Sequence, residues 1–242
     1  MKGRILTCIF AAVLGVPLSA GVDYREYARL LDTYVAPAGV RYEAWAGNAA
    51  DLAALDAVME GFAEVEVGAL TVPERKAFYI NLYNAGMLQV VFEHYPIASV
   101  KEIGPNPFDV FKEDFIRQGG RDLSLDEVEK GILLGDYFDP RIHFAVNCAS
   151  ESCPPLRPEP FSGSTLEAQL EEQTRAFANS ERAARVDHEA ERVAYSALFQ
   201  WYADDFRGAN PATYLNDYRE DPLPLDYDIG WIEYDWSLNA AE

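Results

Sequence analysis

Thr71-Val-Pro-Glu74-Arg-Lys-Ala-Phe78-Tyr-Ile-Asn81-Leu-Tyr-Asn84-Ala-Gly-Met-Leu88-Gln-Val-Val-Phe-Glu-His94 decides the fold. Thr71 can cap a first helical turn, Pro73 fits within it, and Glu74 completes a capping box. The helix this opens runs to about His94 and stops before Pro96, because proline restricts the residue ahead of it. Ala77, Ile80, Tyr83, Ala85, Met87, Leu88 and Val91 make it apolar on most sides, so it is expected to be central and buried. Asn81 and Asn84 lie three residues apart on one face. A buried amide without a partner costs about 1–3 kcal/mol, so both must bond to something. They either hold neighbouring loop backbone or form the polar, substrate-binding wall of a cleft.

Outward from this helix, residues 23–35 and Asn48 to Met59 read as two further helices. Ala36-Pro-Ala-Gly39 and an extended Val40-Arg41-Tyr42 lie between them. Ser124-Leu-Asp-Glu127 is a second capping box, starting a helix through about Leu134. Capping accounts for Glu127 and leaves Glu129 free for chemistry. Gly135 and Asp139-Pro140 then lead into an apparent strand at Ile142. Ser164-Thr-Leu-Glu167 opens a helix with the stripe Leu166, Leu170, Thr174 and Phe177. Arg185 to His188 and Arg192 to Tyr195 read as a hairpin, Leu198 to about Phe206 as a short aromatic helix, and Tyr227 to Leu238 as a last strand. Helices outnumber dispersed strands, which predicts a single α+β domain with a small sheet covered by helices.

The chemistry concentrates in Arg141-Ile-His143-Phe-Ala-Val-Asn-Cys148-Ala-Ser-Glu-Ser-Cys153-Pro-Pro155. A cysteine nucleophile needs a base to take its proton and a group to orient that base. His143 is the candidate base, with Glu129 or Asn84 as orienter. If the segment were a regular strand, the five-residue spacing would put His143 and Cys148 on opposite faces, about 16 Å apart. Cys153 lies past a turn, and a helix starting at Pro154 would favour its thiolate. On that argument Cys153 is preferred to Cys148 as nucleophile. The competing expectation is a Cys148–Cys153 disulfide pinning a binding loop, and a third is two inert thiols. Cys148, Cys153 and His143 lack the usual closed zinc spacing, so neither metal nor cofactor is expected.

The first residues suggest export. Lys2 and Arg4 precede an apolar run from Ile5 to Leu18, and Ser19-Ala20 suits cleavage, so residues 1–20 are expected to be a signal peptide and 21–242 one domain. The chain has 40 Asp+Glu against 20 Lys+Arg, a net charge of −20. That argues against nucleic acid or an anionic membrane surface as partner. A small-molecule or peptide ligand is left open, and the sequence sets no oligomeric state.

Several motifs together resemble one family. They are Arg75-Lys-Ala-Phe78-Tyr-Ile-Asn81-Leu-Tyr-Asn84-Ala85, Leu125-Asp-Glu-Val-Glu129-Lys-Gly-Ile-Leu133 and Asp139-Pro-Arg-Ile-His143 through Cys153-Pro-Pro. Leu198-Phe199-Gln-Trp201-Tyr202-Ala-Asp-Asp205-Phe206 and Tyr234-Asp-Trp236-Ser-Leu238-Asn239 complete them. In this order, from about Tyr24 to Asn239, the chain resembles the domain of unknown function 547 family, as an exported bacterial member. The resemblance implies no settled activity. One departure is Lys130, where the family often has histidine. Two function classes follow: an envelope cysteine hydrolase or acyltransferase acting on a peptide or amide, and a non-catalytic binding or scaffold domain.

Overall fold

A computed structural model describes residues 21–208 and 210–241. The proposed signal segment, residues 1–20, lies outside the described residues. The architecture is α+β, with small sheets set among helices. Helix α1 (Arg25–Tyr34) is followed by the two-residue strands β1 (Val35–Ala36) and β2 (Gly39–Val40), then α2 (Tyr42–Ala46) and α3 (Ala49–Ala63). The Asn48 side chain caps α3 by accepting from Ala50 and Asp51 N–H. Helix α4 (Val72–His94) starts where the sequence predicts, and Glu74 accepts from both the N–H and the hydroxyl of Thr71. Most of α4 is buried, and the larger hydrophobic core surrounds it.

Strands β3 (Ile116–Gln118) and β4 (Arg121–Leu123) form an antiparallel pair. The helix expected after Ser124 is present, and Ser124 accepts from Glu127 N–H. It is wound as a π-helix over Glu127–Leu134 and ends in the single turn α5 (Gly135–Tyr137). The strand expected at Ile142 is absent. Pro140–Phe144 is a 3-10 helix, with Asp139 capping it by accepting from Arg141 N–H. Proline at the first position and an aspartate ahead of it are helix-start chemistry, and they outweigh the apolar run that looked extended. No helix begins at Pro154, and residues 154–157 have no regular structure.

Helix α6 (Leu166–Ala178) buries the predicted stripe. Strands β5 (Ala184–Asp187) and β6 (Arg192–Tyr195) form the expected hairpin, and β7 (Asp228–Trp231) joins β6 in parallel. Helix α7 (Leu198–Trp201) stops short of the expected Phe206, and turns carry the chain on. Helix α8 spans Ala212–Leu215. Beyond β7 the tail continues only as isolated bridges, Ser237 with Ser99 and Leu238 with Ser150.

A smaller aromatic core gathers Phe177, Phe199, Phe206 and Tyr214 around Phe144. The 3-10 segment straddles the two cores: Ile142, Ala145 and Val146 belong to the larger, and Phe144 to the smaller. Among the described residues no helix is long and apolar enough to cross a membrane.

An ion cluster ties this segment to its neighbours. Asp139 bonds to Lys76 of α4 at 2.5 Å and to Arg141 at 2.8 Å, and Arg141 reaches Glu167 of α6 at 2.8 Å. Burial alone would raise the Asp139 carboxyl. The Arg141 and Lys76 hydrogen bonds outweigh it and hold the group at about 2. A depressed carboxylate pKa adds stability that is full above the unfolded value, near 4, and is lost as pH falls through the folded value. Asp139→Asn should therefore cost about 3 kcal/mol at neutral pH, chiefly by leaving Lys76 buried and unpaired. Urea unfolding from pH 7 to pH 2 should show the gap between wild type and variant narrowing below about pH 4.

Candidate active site

Asn81 and Asn84 of α4 face the segments that carry the chemistry, and both amides are occupied by backbone. Asn81 donates to Phe161 O at 2.8 Å and accepts from Phe161 N–H at 2.9 Å. Asn84 donates to Ala145 O at 2.9 Å and accepts from Asn147 N–H at 2.8 Å. Neither lines the cleft described below. The substrate-wall expectation is corrected for both: their polar atoms meet the chain instead of a ligand. Asn84 fixes the backbone one and three residues before Cys148.

Asn147 carries the restraint onward. Its carbonyl oxygen accepts from Ala149 N–H at 3.0 Å, and its amide donates to Pro154 O at 2.8 Å. One side chain thereby closes the loop from 148 to 153. Asn239 donates to the same oxygen at 3.2 Å and accepts from the Tyr42 hydroxyl at 2.8 Å. Inside the loop Ala149 takes a left-handed φ of 59°, an uncommon conformation for a residue with a Cβ.

The loop presents Cys148 to a cleft of about 450 Å³. His143, Glu129 and Cys153 also border it, between walls made by Tyr83, Tyr202, Trp201, Tyr234 and Trp236. The preference for Cys153 rested on a strand and a following helix. With neither present, its premise is corrected. Cys148 is half-buried and Cys153 is only 5 % exposed. The two thiols are free, not paired as a disulfide.

Two hydroxyls converge on the Cys148 sulfur. Ser150 Oγ is 3.0 Å away and Tyr234 Oη 3.3 Å, and Ser150 also donates to Tyr234 at 3.0 Å. The Cys153 thiol donating to it lowers its pKa most; burial opposes, and the Ser150 and Tyr234 hydroxyls with the Ser150 N–H add to the lowering. The result is about 7. Cys153 moves the other way: burial raises it, and the neighbouring Cys148 sulfur raises it further. Tyr234 is raised by burial and then by the charge of the same sulfurs, so its hydroxyl keeps its proton.

His143 is 2 % exposed, with its ring 4.1 Å from that of Tyr202 and 5.2 Å from that of Phe206. Its Nε2 lies 2.8 Å from Asp205 Oδ2. A carboxylate only accepts, so this bond assigns the proton to Nε2 and leaves a lone pair on Nδ1. Nδ1 is buried and has no hydrogen-bond partner. Glu129 Oε1 is the nearby charge, 3.7 Å away. The orienter expected from the sequence was Glu129 or Asn84, and the bond to the ring comes from Asp205. Asp205 stands in the quoted motif Leu198 to Phe206, but nothing there ties it to His143 or sets it apart from Asp204 beside it. Glu129 still faces the cleft, under the Tyr202 hydroxyl, whose proton is retained through burial and then through the Glu129 charge.

Tyr234 and Trp236, on the tail expected to be a strand, form cleft wall. Trp236 packs against Phe108 at 4.7 Å and Tyr234 at 4.6 Å. Among the described residues no group of three or more His, Cys, Asp or Glu side chains is placed to hold a metal ion. His94 and His188 lie away from the cleft, bonded to Val90 O and Tyr227 respectively.

The model of a family described as protein of unknown function, DUF547, matches residues 67–178. That span holds α4, the π-helix, the 3-10 segment and both cysteines; Asp205 and the aromatic wall after it lie beyond. It is shorter than the span over which the motifs resemble the family. No curated protein and no solved structure matches the chain significantly.

The thiol geometry sets a labelling curve. Iodoacetamide should alkylate Cys148 of the folded protein with half-maximal rate near pH 7, against about 8.5 for an unperturbed thiol. Below that midpoint the rate should fall roughly tenfold per pH unit as the thiolate protonates. Cys153 should stay unlabelled until unfolding. Tyr234→Phe should move the Cys148 midpoint upward. Peptide mass mapping across pH reads all three outcomes.

Proposed function

Since the chain belongs to the family described as protein of unknown function, DUF547, a description that assigns no reaction, we propose a function from its cleft: a cysteine-dependent hydrolase or acyltransferase acting on a peptide or amide. The observation that carries this is the pairing of a donor-stabilised Cys148 with a buried His143, whose free Nδ1 and Asp205-bound Nε2 have the polarity a general base needs. A nucleophile, a base and an orienting carboxylate are the parts of covalent acyl transfer.

In this mechanism the Cys148 thiolate attacks the carbonyl carbon and the carbonyl oxygen becomes an oxyanion. His143 Nδ1 takes the thiol proton and returns it to the leaving amine. Glu129 Oε1 lies 3.7 Å from Nδ1, on the side of the ring that carries the proton between those steps. Asp205 holds the tautomer and the ring plane. The Tyr83 hydroxyl, kept protonated by burial and then by the Glu129 charge, is a donor in reach of the cleft and suits the oxyanion. Water or a second amine then attacks the thioester, with His143 as base. No hydrogen bond joins Cys148 to His143 among the described residues. Such bonds often tighten only once substrate is bound.

The aromatic walls suit an apolar group beside the scissile bond, and the Lys112 and Lys130 side chains stand at the rim. The signal-like residues 1–20 support an exported protein and hence an envelope substrate. Under this reading p-nitrophenyl acetate gives a burst of nitrophenolate, with acetyl found on Cys148 by mass. Cys148→Ala should abolish both burst and adduct. His143→Ala should slow acylation by about 10²-fold or more while circular dichroism stays native. An unchanged burst in Cys148→Ala would remove this residue from the chemistry.

A further inference from the structure

We propose that Cys148 is an oxidation site and Cys153 its resolving partner, the pair passing reversibly between dithiol and disulfide when a hydroperoxide enters the cleft. The acyl-transfer mechanism makes no use of Cys153, yet this thiol is buried directly behind the nucleophile. Its Sγ accepts from the Cys148 N–H at 3.1 Å. With an N–Cα bond of about 1.46 Å, that puts Cys153 Sγ within about 4.6 Å of the Cys148 Cα. The loop between them is already closed: Cys153 N–H donates to Ser150 O at 3.1 Å, and Asn147 clamps Pro154. Arg182 holds the loop from outside, bonding to Glu151 at 2.6 Å and to Cys153 O at 3.4 Å.

The two sulfurs are unequal in the sense a resolving pair requires. The outer one is half-buried and faces the cleft; the inner one is only 5 % exposed at the cleft's border, and its thiol is directed at Val146 O, 3.9 Å away. With hydrogen peroxide as the oxidant, the outer thiolate attacks the O–O bond, becoming a sulfenic acid and releasing water after proton uptake. The Cys153 sulfur then attacks the Cys148 sulfur, expelling its hydroxyl as a second water with the Cys153 proton, and the S–S bond forms. Two electrons pass from the dithiol to the peroxide. A small neutral oxidant is favoured over an anionic disulfide, because the chain carries a net charge of −20. The disulfide would remove the nucleophile and shield it from irreversible over-oxidation.

The inference rests on the reactive Cys148 of the proposed function, though not on acyl transfer itself. Reduced protein would be treated with hydrogen peroxide and the peptide carrying both cysteines weighed. The expected result is loss of two hydrogens, reversed by dithiothreitol, while Cys153→Ser stops at a sulfenic acid that dimedone traps and that gains further oxygen when dimedone is left out. The inference falls if wild-type Cys148 stays reduced, or gains oxygen while Cys153 still alkylates after unfolding. Disulfide formation in a protein that never acquires acetyl from p-nitrophenyl acetate would overturn the acyl-transfer proposal alone. Acetylation without disulfide would overturn this inference alone.

Discussion

A chain of buried amides holds the molecule in register. Asn84 in α4 grips the backbone at 145 and 147, Asn147 clamps 149 and 154, and Asn239 joins Asn147 to Tyr42. Each bond lies where water cannot replace it, so breaking any one leaves donors or acceptors unmet. The segment it fixes has little regular structure of its own. Apart from a short backbone pairing of residues 149–152 with the tail, the stretch from Ala145 to Pro154 has no ladder and no helix to define its path. A polar interior has therefore taken over a task that secondary structure performs elsewhere.

This also explains which features could be read from the residues. Helix α4 was legible because Thr71, Pro73 and Glu74 form a local start signal and the apolar positions surround the axis. Helix α6 and the β5–β6 hairpin were legible for similar local reasons. The strand expected at Ile142 failed because an apolar run of that length suits a strand or a buried turn equally, and the decision fell to Asp139 and Pro140. The choice between the cysteines inherited that error, since it depended on strand geometry. Asp205 was out of reach for a different reason. Its partnership with His143 spans 62 residues, and no pattern within either segment announces it. His143, Glu129 and Cys148, by contrast, were recognisable from residue type and do border one cleft.

The cleft lies near the join of the two hydrophobic cores. Phe144 belongs to one and its neighbours on either side to the other, which puts His143 beneath Tyr202 and Phe206. Side chains in such a position are fixed by packing from two directions. The aromatic wall comes largely from the C-terminal third, beyond the matched family span. His143, Cys148 and Glu129 thus sit on elements within that span, while Asp205 and most of the aromatic wall come from outside it.

The π-helix from Glu127 to Leu134 gives one position unusual control. An α-helix advances about 100° per residue, and each wide turn in its place accommodates an extra one. The direction in which Glu129 points is therefore a matter of phase. Losing a single residue from this stretch would let it relax into ordinary winding and swing the carboxylate around the axis, away from the imidazole. The site would then lose a charge through arithmetic, with every named side chain still present. Length, as much as identity, is under constraint between Asp126 and Gly135.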